Sequence, residues 1–329
     1  MSILIAGLPV LALIVVANLV TARGSANARL AFNLGLFLLN GLLVAAGVAL
    51  RFVPLDSNLL PEAGAQLLDS GFGTASLVLA GTWGMLVCLR PVRAALSGLL
   101  PAIEPDSPVH TLALAGVGYL IGNAAVSLAP GALEALAEAG VEASLVDVLA
   151  QQFLFVLAAF AGVGLLIRRD GEALNERLGL RRPTGGQLAT GIRWMFFLVF
   201  LQSCISAMWV LMDPSRAQQL SGFNQALLGN FDTVWEWFLL AAAAGLGEEL
   251  LFRGALQPIF GILPTSLIFA VSHVQYGLTP ATLAIFALSV ILGVIRKRSN
   301  TTVAILTHAG YNFILGLLSL LAASVTAAG

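Results

Sequence analysis

Two adjacent carboxylates and a guanidinium, Glu248, Glu249 and Arg253, interrupt the apolar stretch GLGEELLFRG (Gly245 to Gly254). An ionisable side chain at membrane depth costs about 2.5–3.5 kcal/mol on insertion scales, so such groups point to function. On a helix Glu249 and Arg253 stand at i, i+4 with the acid N-terminal to the base, the spacing at which they pair along one face. Glu248 is turned about 100° from Glu249, which leaves it as the carboxylate without a local partner. Two further apolar segments carry polar groups: His273, one helical turn after Phe269 in FAVSHVQYG, and His308 with Asn312 in THAGYNF.

A carboxylate and an imidazole that share one water can deprotonate it for attack on a carbonyl. An imidazole N–H and a carboxamide N–H can then hold the negative charge of the tetrahedral intermediate. Counted from the inner ends of their segments, Glu248, His273 and His308 are roughly 10–17 Å deep at the helical rise per residue. They can therefore meet in one cavity reached from the inner side, with Asn312 one turn beyond His308 on the same face. His110 falls at the end of a segment and is expected at the interface without a role.

The elements that must position these groups are membrane helices. The chain has 329 residues, of which 58% are hydrophobic and 10% charged, and its mean hydropathy is +0.93, far from the balance of a soluble domain. Apolar runs long enough to cross a bilayer occupy about 2–22, 30–50, 72–89, 109–128, 149–167, 191–212, 233–258, 262–277, 281–295 and 301–326. The expectation is an all-α polytopic bundle of about ten spans with both termini outside, its first segment retained because no basic region precedes it. In that arrangement every Lys and Arg except Arg51, Arg216 and Arg253 lies in inner loops, as the positive-inside rule requires. The outer loops carry acids instead, among them Asp56, Glu62, Asp69, Glu134, Glu138 and Glu142.

Trp209, Trp235 and Trp237 are expected at the outer interface. Gly118 and Gly122 have the spacing that lets helices approach closely, and Cys88 and Cys204, in different segments, read as packing residues. The longest inner loop divides the chain into an N-terminal five-span region (1–168), a cytoplasmic amphipathic linker (169–190) that lies along the membrane surface, and a second five-span core (191–329).

Glu248, Glu249 and Arg253 as E-E-x-x-x-R, Phe269 and His273 as F-x-x-x-H, and His308 and Asn312 as H-x-x-x-N follow one another in order on separate segments. This set resembles the signature of the CPBP (ABI) family of CAAX prenyl proteases of the Ras-converting-enzyme type and bacteriocin-processing or self-immunity proteins. The resemblance covers about residues 190–328 and implies an intramembrane glutamic endopeptidase working in a cytosol-facing cavity. Carried across, Glu248 with His273 activates the water, His308 and Asn312 form the oxyanion site, and Glu249 and Arg253 are structural. A peptide or protein substrate, which can be lipid-modified, is implied; no nucleic acid and no cofactor is.

Two other classes compete. One Glu and two His could hold Zn²⁺ with an open position, although the H-E-x-x-H helix of zincins is absent. A proton-coupled transporter would also bury Glu, His and Arg, but the expected inverted repeats are not visible. A scaffold or immunity protein without turnover is a further reading, which the complete motif set argues against. Fifteen Arg against a single Lys suggest a GC-rich bacterial genome and hence a plasma membrane.

Overall fold

The computed structural model describes residues 2–52, 71–126, 143–273 and 279–328. The chain is an all-α integral membrane bundle. Its N-terminal region consists of α1 (Ser2–Arg23), α2 (Ala26–Phe52), α3 (Phe72–Val87), α4 (Arg90–Leu99), α5 (Pro108–Val126) and α6 (Leu145–Val163). A short helix, α7 (Gly171–Leu178), leads to α8 (Gly185–Met212), α9 (Pro214–Leu228) and α10 (Val234–Glu249). A π-helical turn, Leu250–Leu256, and the single turn Gln257–Phe260 continue α10, followed by α11 (Ile262–Val271), α12 (Pro280–Arg298) and α13 (Thr301–Ala328).

Seven of these helices are long and apolar enough to cross a membrane individually, and α3 with α4, bent by 91°, counts as an eighth span. The difference from ten comes from the expected seventh and eighth spans, which the chain builds from pieces: α10 with its π-helical continuation, and the ten-residue α11. Exposed leucines and phenylalanines such as Leu42, Leu79, Phe200 and Leu321 clothe the bundle, as a hydrocarbon solvent demands. The six acids named above for the outer loops all lie outside the described residues.

Both irregularities in the spanning helices follow from proline. Pro91 has no N–H for the carbonyl four residues back, that of Val87, and the helix turns there. The orphaned carbonyl accepts instead from Arg93 Nη1 at 2.6 Å, while Arg93 Nε donates to the Pro105 carbonyl at 2.6 Å. Pro258 creates the same deficit beyond the π-helical turn. Arg296 Nε donates to the Arg253 carbonyl (3.1 Å), and Arg177 Nη1 and Nη2 donate to those of Gly254 (2.8 Å) and Ala255 (3.2 Å).

Helix α7 is therefore docked on the π-helical turn. Asp170 caps it by accepting from the Ala173 N–H at 2.9 Å, and Gly179, at φ 72°, ends it in the left-handed region that suits glycine. Its apolar face, Leu174 and Leu178, is buried against Leu250 and Ala255 of the π-helical turn. Thr301 closes the contact, its N–H donating to the Gly179 carbonyl (2.9 Å) and its hydroxyl to that of Leu178 (2.5 Å). Burial, with Arg169, Arg296 and Arg168 nearby, pulls the Arg177 guanidinium down to about 10, which keeps it cationic at neutral pH.

Other local expectations fare unevenly. A Cβ at Gly122 would lie 2.9 Å from that of Ala80 on α3, the close approach that the glycine spacing suggests. Trp235 is exposed and stacked on Phe238, but Trp237 is a core residue whose Nε1 donates to the Phe231 carbonyl at 3.0 Å. Cys88 is buried as a packing residue should be, whereas Cys204 is exposed. His110 Nδ1 accepts from the Glu104 N–H at 2.9 Å.

Because two carbonyls of the π-helical turn depend on one guanidinium, Arg177→Ala should lower stability by about 1.5–3 kcal/mol per charged hydrogen bond lost. Thermal unfolding in detergent should show Arg177→Lys in between, since an ammonium lacks the fork that spans two acceptors. A melting temperature unchanged in Arg177→Ala would contradict this account.

Candidate active site

The stretch from Gly245 to Glu249 is squeezed between two helices. A Cβ at Gly245 would fall 2.8 Å from that of Ala309 on α13, and one at Gly247 would fall 2.5 Å from Gln152 Oε1 and 2.8 Å from the Gln152 carbonyl oxygen on α6. Glycine at these two places lets α10 approach both neighbours at backbone distance. The two carboxylates that follow are thereby aimed at different partners.

Glu249, fully buried, bridges a guanidinium and an imidazole. Its Oε2 lies 3.1 Å from Arg253 Nε, and its Oε1 lies 3.0 Å from Nδ1 of His308, which is also buried. Arg253 is fully buried as well, with Nη2 donating to Ser289 Oγ at 2.9 Å. Its guanidinium carbon sits 5.1 Å from the centroid of Phe269, where the negative face of the ring attracts a cation. Phe269 is fully buried and serves as a shared wall, with ring centroids 4.7 Å from His273 and 6.0 Å from His308.

The hydrogen bonds fix where the imidazole protons sit. A carboxylate only accepts, so His308 Nδ1 carries a hydrogen and donates to Glu249. Its Nε2 is then a lone pair in the neutral ring and an N–H donor in the imidazolium. His273 Nδ1 lies 2.9 Å from the Phe269 carbonyl oxygen, another obligate acceptor. The neutral His273 ring therefore presents its lone pair at Nε2.

Glu248, half-buried, accepts from Gln152 Nε2 at 3.1 Å. Sequence spacing leaves this acid unpartnered; the donor comes from α6, across the boundary drawn at residue 168. Nothing in the segment around Gln152 signals that contact except two adjacent carboxamides, Gln151 and Gln152, in an apolar run. Ser289, equally hidden among apolar neighbours on α12, is the other polar member that spacing does not pick out.

Glu248, His273, His308 and Asn312 all line one cavity of about 480 Å³. Its remaining walls come from the C-terminal turns of α8 (Gln202 to Val210), from α9, and from the N-terminal turns of α12 (Ala281 to Leu288). These are the helix ends remote from Arg181, Arg182 and the Arg296–Lys297–Arg298 terminus. The sequence expects the opening on that arginine-rich side. The way toward the arginines is filled by Arg253, Glu249, Ser289 and Phe269, all buried, and depth counted along a helix does not reveal which side of a group is packed.

At the α9 end, Asp213 Oδ1 accepts from the Arg216 N–H (3.1 Å) and the Ser215 hydroxyl (2.8 Å), and these bonds hold its carboxyl below the usual range. Among the described residues no three His, Cys, Asp or Glu side chains are grouped as ligands of a metal ion.

Residues 230–314 match the family model described as Rce1-like, type II CAAX prenyl endopeptidase Rce1-like. That span contains all seven motif residues and none of α1 to α9. No curated protein and no solved structure matches the chain.

The ion pair has a measurable consequence. Arg253→Met should cost about 3–5 kcal/mol by stranding a buried carboxylate. Adding Glu249→Gln, which keeps an acceptor for His308 Nδ1 but removes the charge, should restore most of that loss in detergent unfolding. A double variant no more stable than Arg253→Met would show that the two charges are not compensating each other.

Proposed function

We propose, from the match of residues 230–314 to the Rce1-like family model, that the chain is a CPBP-family intramembrane endopeptidase of the glutamic type. The observation that carries the reading is the sharing of one cavity by Glu248, His273, His308 and Asn312. A water held between the Glu248 carboxylate and His273 Nε2 loses its proton as its oxygen attacks the scissile carbonyl. General-base assistance of this kind contributes about 10²–10⁴-fold.

The oxyanion forms against two donors, the Nε2–H of His308 and the side-chain N–H of Asn312. For His308 to donate there it acts as the imidazolium, since its Nδ1–H is committed to Glu249. Glu249 and Arg253 thus act indirectly, Arg253 by anchoring Glu249, and Glu249 by orienting and balancing His308. The proton taken from water passes to the leaving amine as the C–N bond breaks, and the acid–base pair returns to its starting state.

The substrate is a peptide or protein, and membership of a CAAX prenyl protease family supports a lipid-modified segment. The cavity walls suit an apolar one, with Trp209, Leu220, Ile285, Leu288 and Leu315 around the polar floor. The chain approaches from the α9 end, opposite the arginines. We place the protein in a bacterial plasma membrane, with residues 191–329 as the catalytic core and α6 of the N-terminal region as its necessary companion. No cofactor enters this scheme.

Glu248→Gln or His273→Ala should abolish cleavage while leaving the protein inserted and folded, and Asn312→Ala should cost about 10²–10³-fold, the value of one oxyanion donor. Terminal-peptide mass spectrometry of cells carrying either the wild type or Glu248→Gln should reveal a terminus present only in the former. Cleavage should persist in chelators. Wild-type processing by Glu248→Gln would refute the assignment, and loss on chelation with recovery on added zinc would replace it by a metalloprotease.

A further inference from the structure

We propose that Gln152 is a positioning residue for Glu248, so that the N-terminal region supplies part of the working site. This rests on the hydrolase reading above but on different atoms. Gln152 is buried and its Nε2 donates to Glu248 Oε1 at 3.1 Å. Its backbone is pressed against Gly247, where a Cβ would come within 2.8 Å of the Gln152 carbonyl oxygen. Helix α6 therefore cannot shift relative to α10 without moving the carboxamide off the carboxylate.

The carboxamide orientation is dictated by charge. With Nε2 toward Glu248, an N–H meets an ionised oxygen; turned over, two acceptors would face each other. In the form adopted, Gln152 Oε1 is left buried without a hydrogen-bond partner, and the N–H stays on the carboxylate. A buried N–H held on one oxygen of Glu248 fixes the direction of that carboxylate. The other oxygen, Oε2, is then the one left for the cavity that Glu248 and His273 both line. A donor on Oε1 also keeps Glu248 from swinging toward Arg253, which lies one turn away on the neighbouring face of the same helix.

Gln152→Met preserves length and packing but removes the N–H. Purified protein in bicelles would be compared by infrared difference spectroscopy, with the Glu248 carboxylate band identified as the one lost in Glu248→Gln. An internally quenched random peptide library would serve as the activity probe. In Gln152→Met the Glu248 band should move and kcat should fall on the order of 10- to 100-fold, the scale of a reactive group misplaced by about 1 Å. KM and the melting temperature should stay near wild type. Gln202→Met, across the cavity, should leave the band in place.

A band unmoved in Gln152→Met, or cleavage at the wild-type rate, overturns the inference. A fall in stability with kcat preserved per folded molecule overturns it too, assigning Gln152 to packing. Failure of the underlying hydrolase reading is told apart because wild type and Glu248→Gln would then cleave the library equally.

Discussion

A carbonyl oxygen inside hydrocarbon has no water to fall back on, so every break in a membrane helix must be met by a donor from elsewhere in the protein. This chain breaks two spanning helices with proline and meets both breaks with arginine. Arg93 answers Pro91, and Arg177 with Arg296 answer the carbonyls exposed ahead of Pro258. The second case underlies the half of the molecule that carries the proposed site. The π-helical turn it stabilises holds Arg253, and Arg253 holds Glu249, which holds His308. A guanidinium suits this work because its fork reaches two acceptors at once and keeps its charge when partly buried.

The charges at the centre form a chain in which each member needs the next. Arg253 without Glu249 would be a buried cation beside an aromatic ring; Glu249 without Arg253 would be a buried anion with only an imidazole to balance it. Neither arrangement is tolerable alone, and together they set one ring nitrogen of His308 without themselves lining the cavity. Glu248, one residue earlier, is spared from this network by its rotation about the helix and by a carboxamide on a different helix. One dipeptide thus separates into a member that balances charge and a member left half-exposed to a chamber.

Much of this is legible in residue types and spacing. The apolar runs give the membrane bundle, the i, i+4 relation gives the Glu249–Arg253 pair, and the polar residues of three segments give the lining of the cavity. What spacing cannot show is anything decided between distant segments. The contact of Gln152 with Glu248 depends on how closely α6 packs, which Gly247 permits but does not announce. The same holds for Arg177, which reads as one more inner-loop cation and serves as a backbone donor. The packing of Phe269 and Arg253 beside the cavity is likewise decided between segments, and hydropathy alone does not reveal it. The amphipathic ring of Trp237 suits an interface, yet its N–H finds a carbonyl indoors.

The arginine caps also impose an order on biogenesis. During synthesis Arg177 emerges before the π-helical turn, ready to take the carbonyls of Gly254 and Ala255, but Arg296 is forty-three residues behind Arg253. Until the helix bearing it has been threaded in, the Arg253 carbonyl lacks its donor in the bilayer. The backbone of the π-helical turn thus reaches its full complement of donors only once α10 and α12 are packed together.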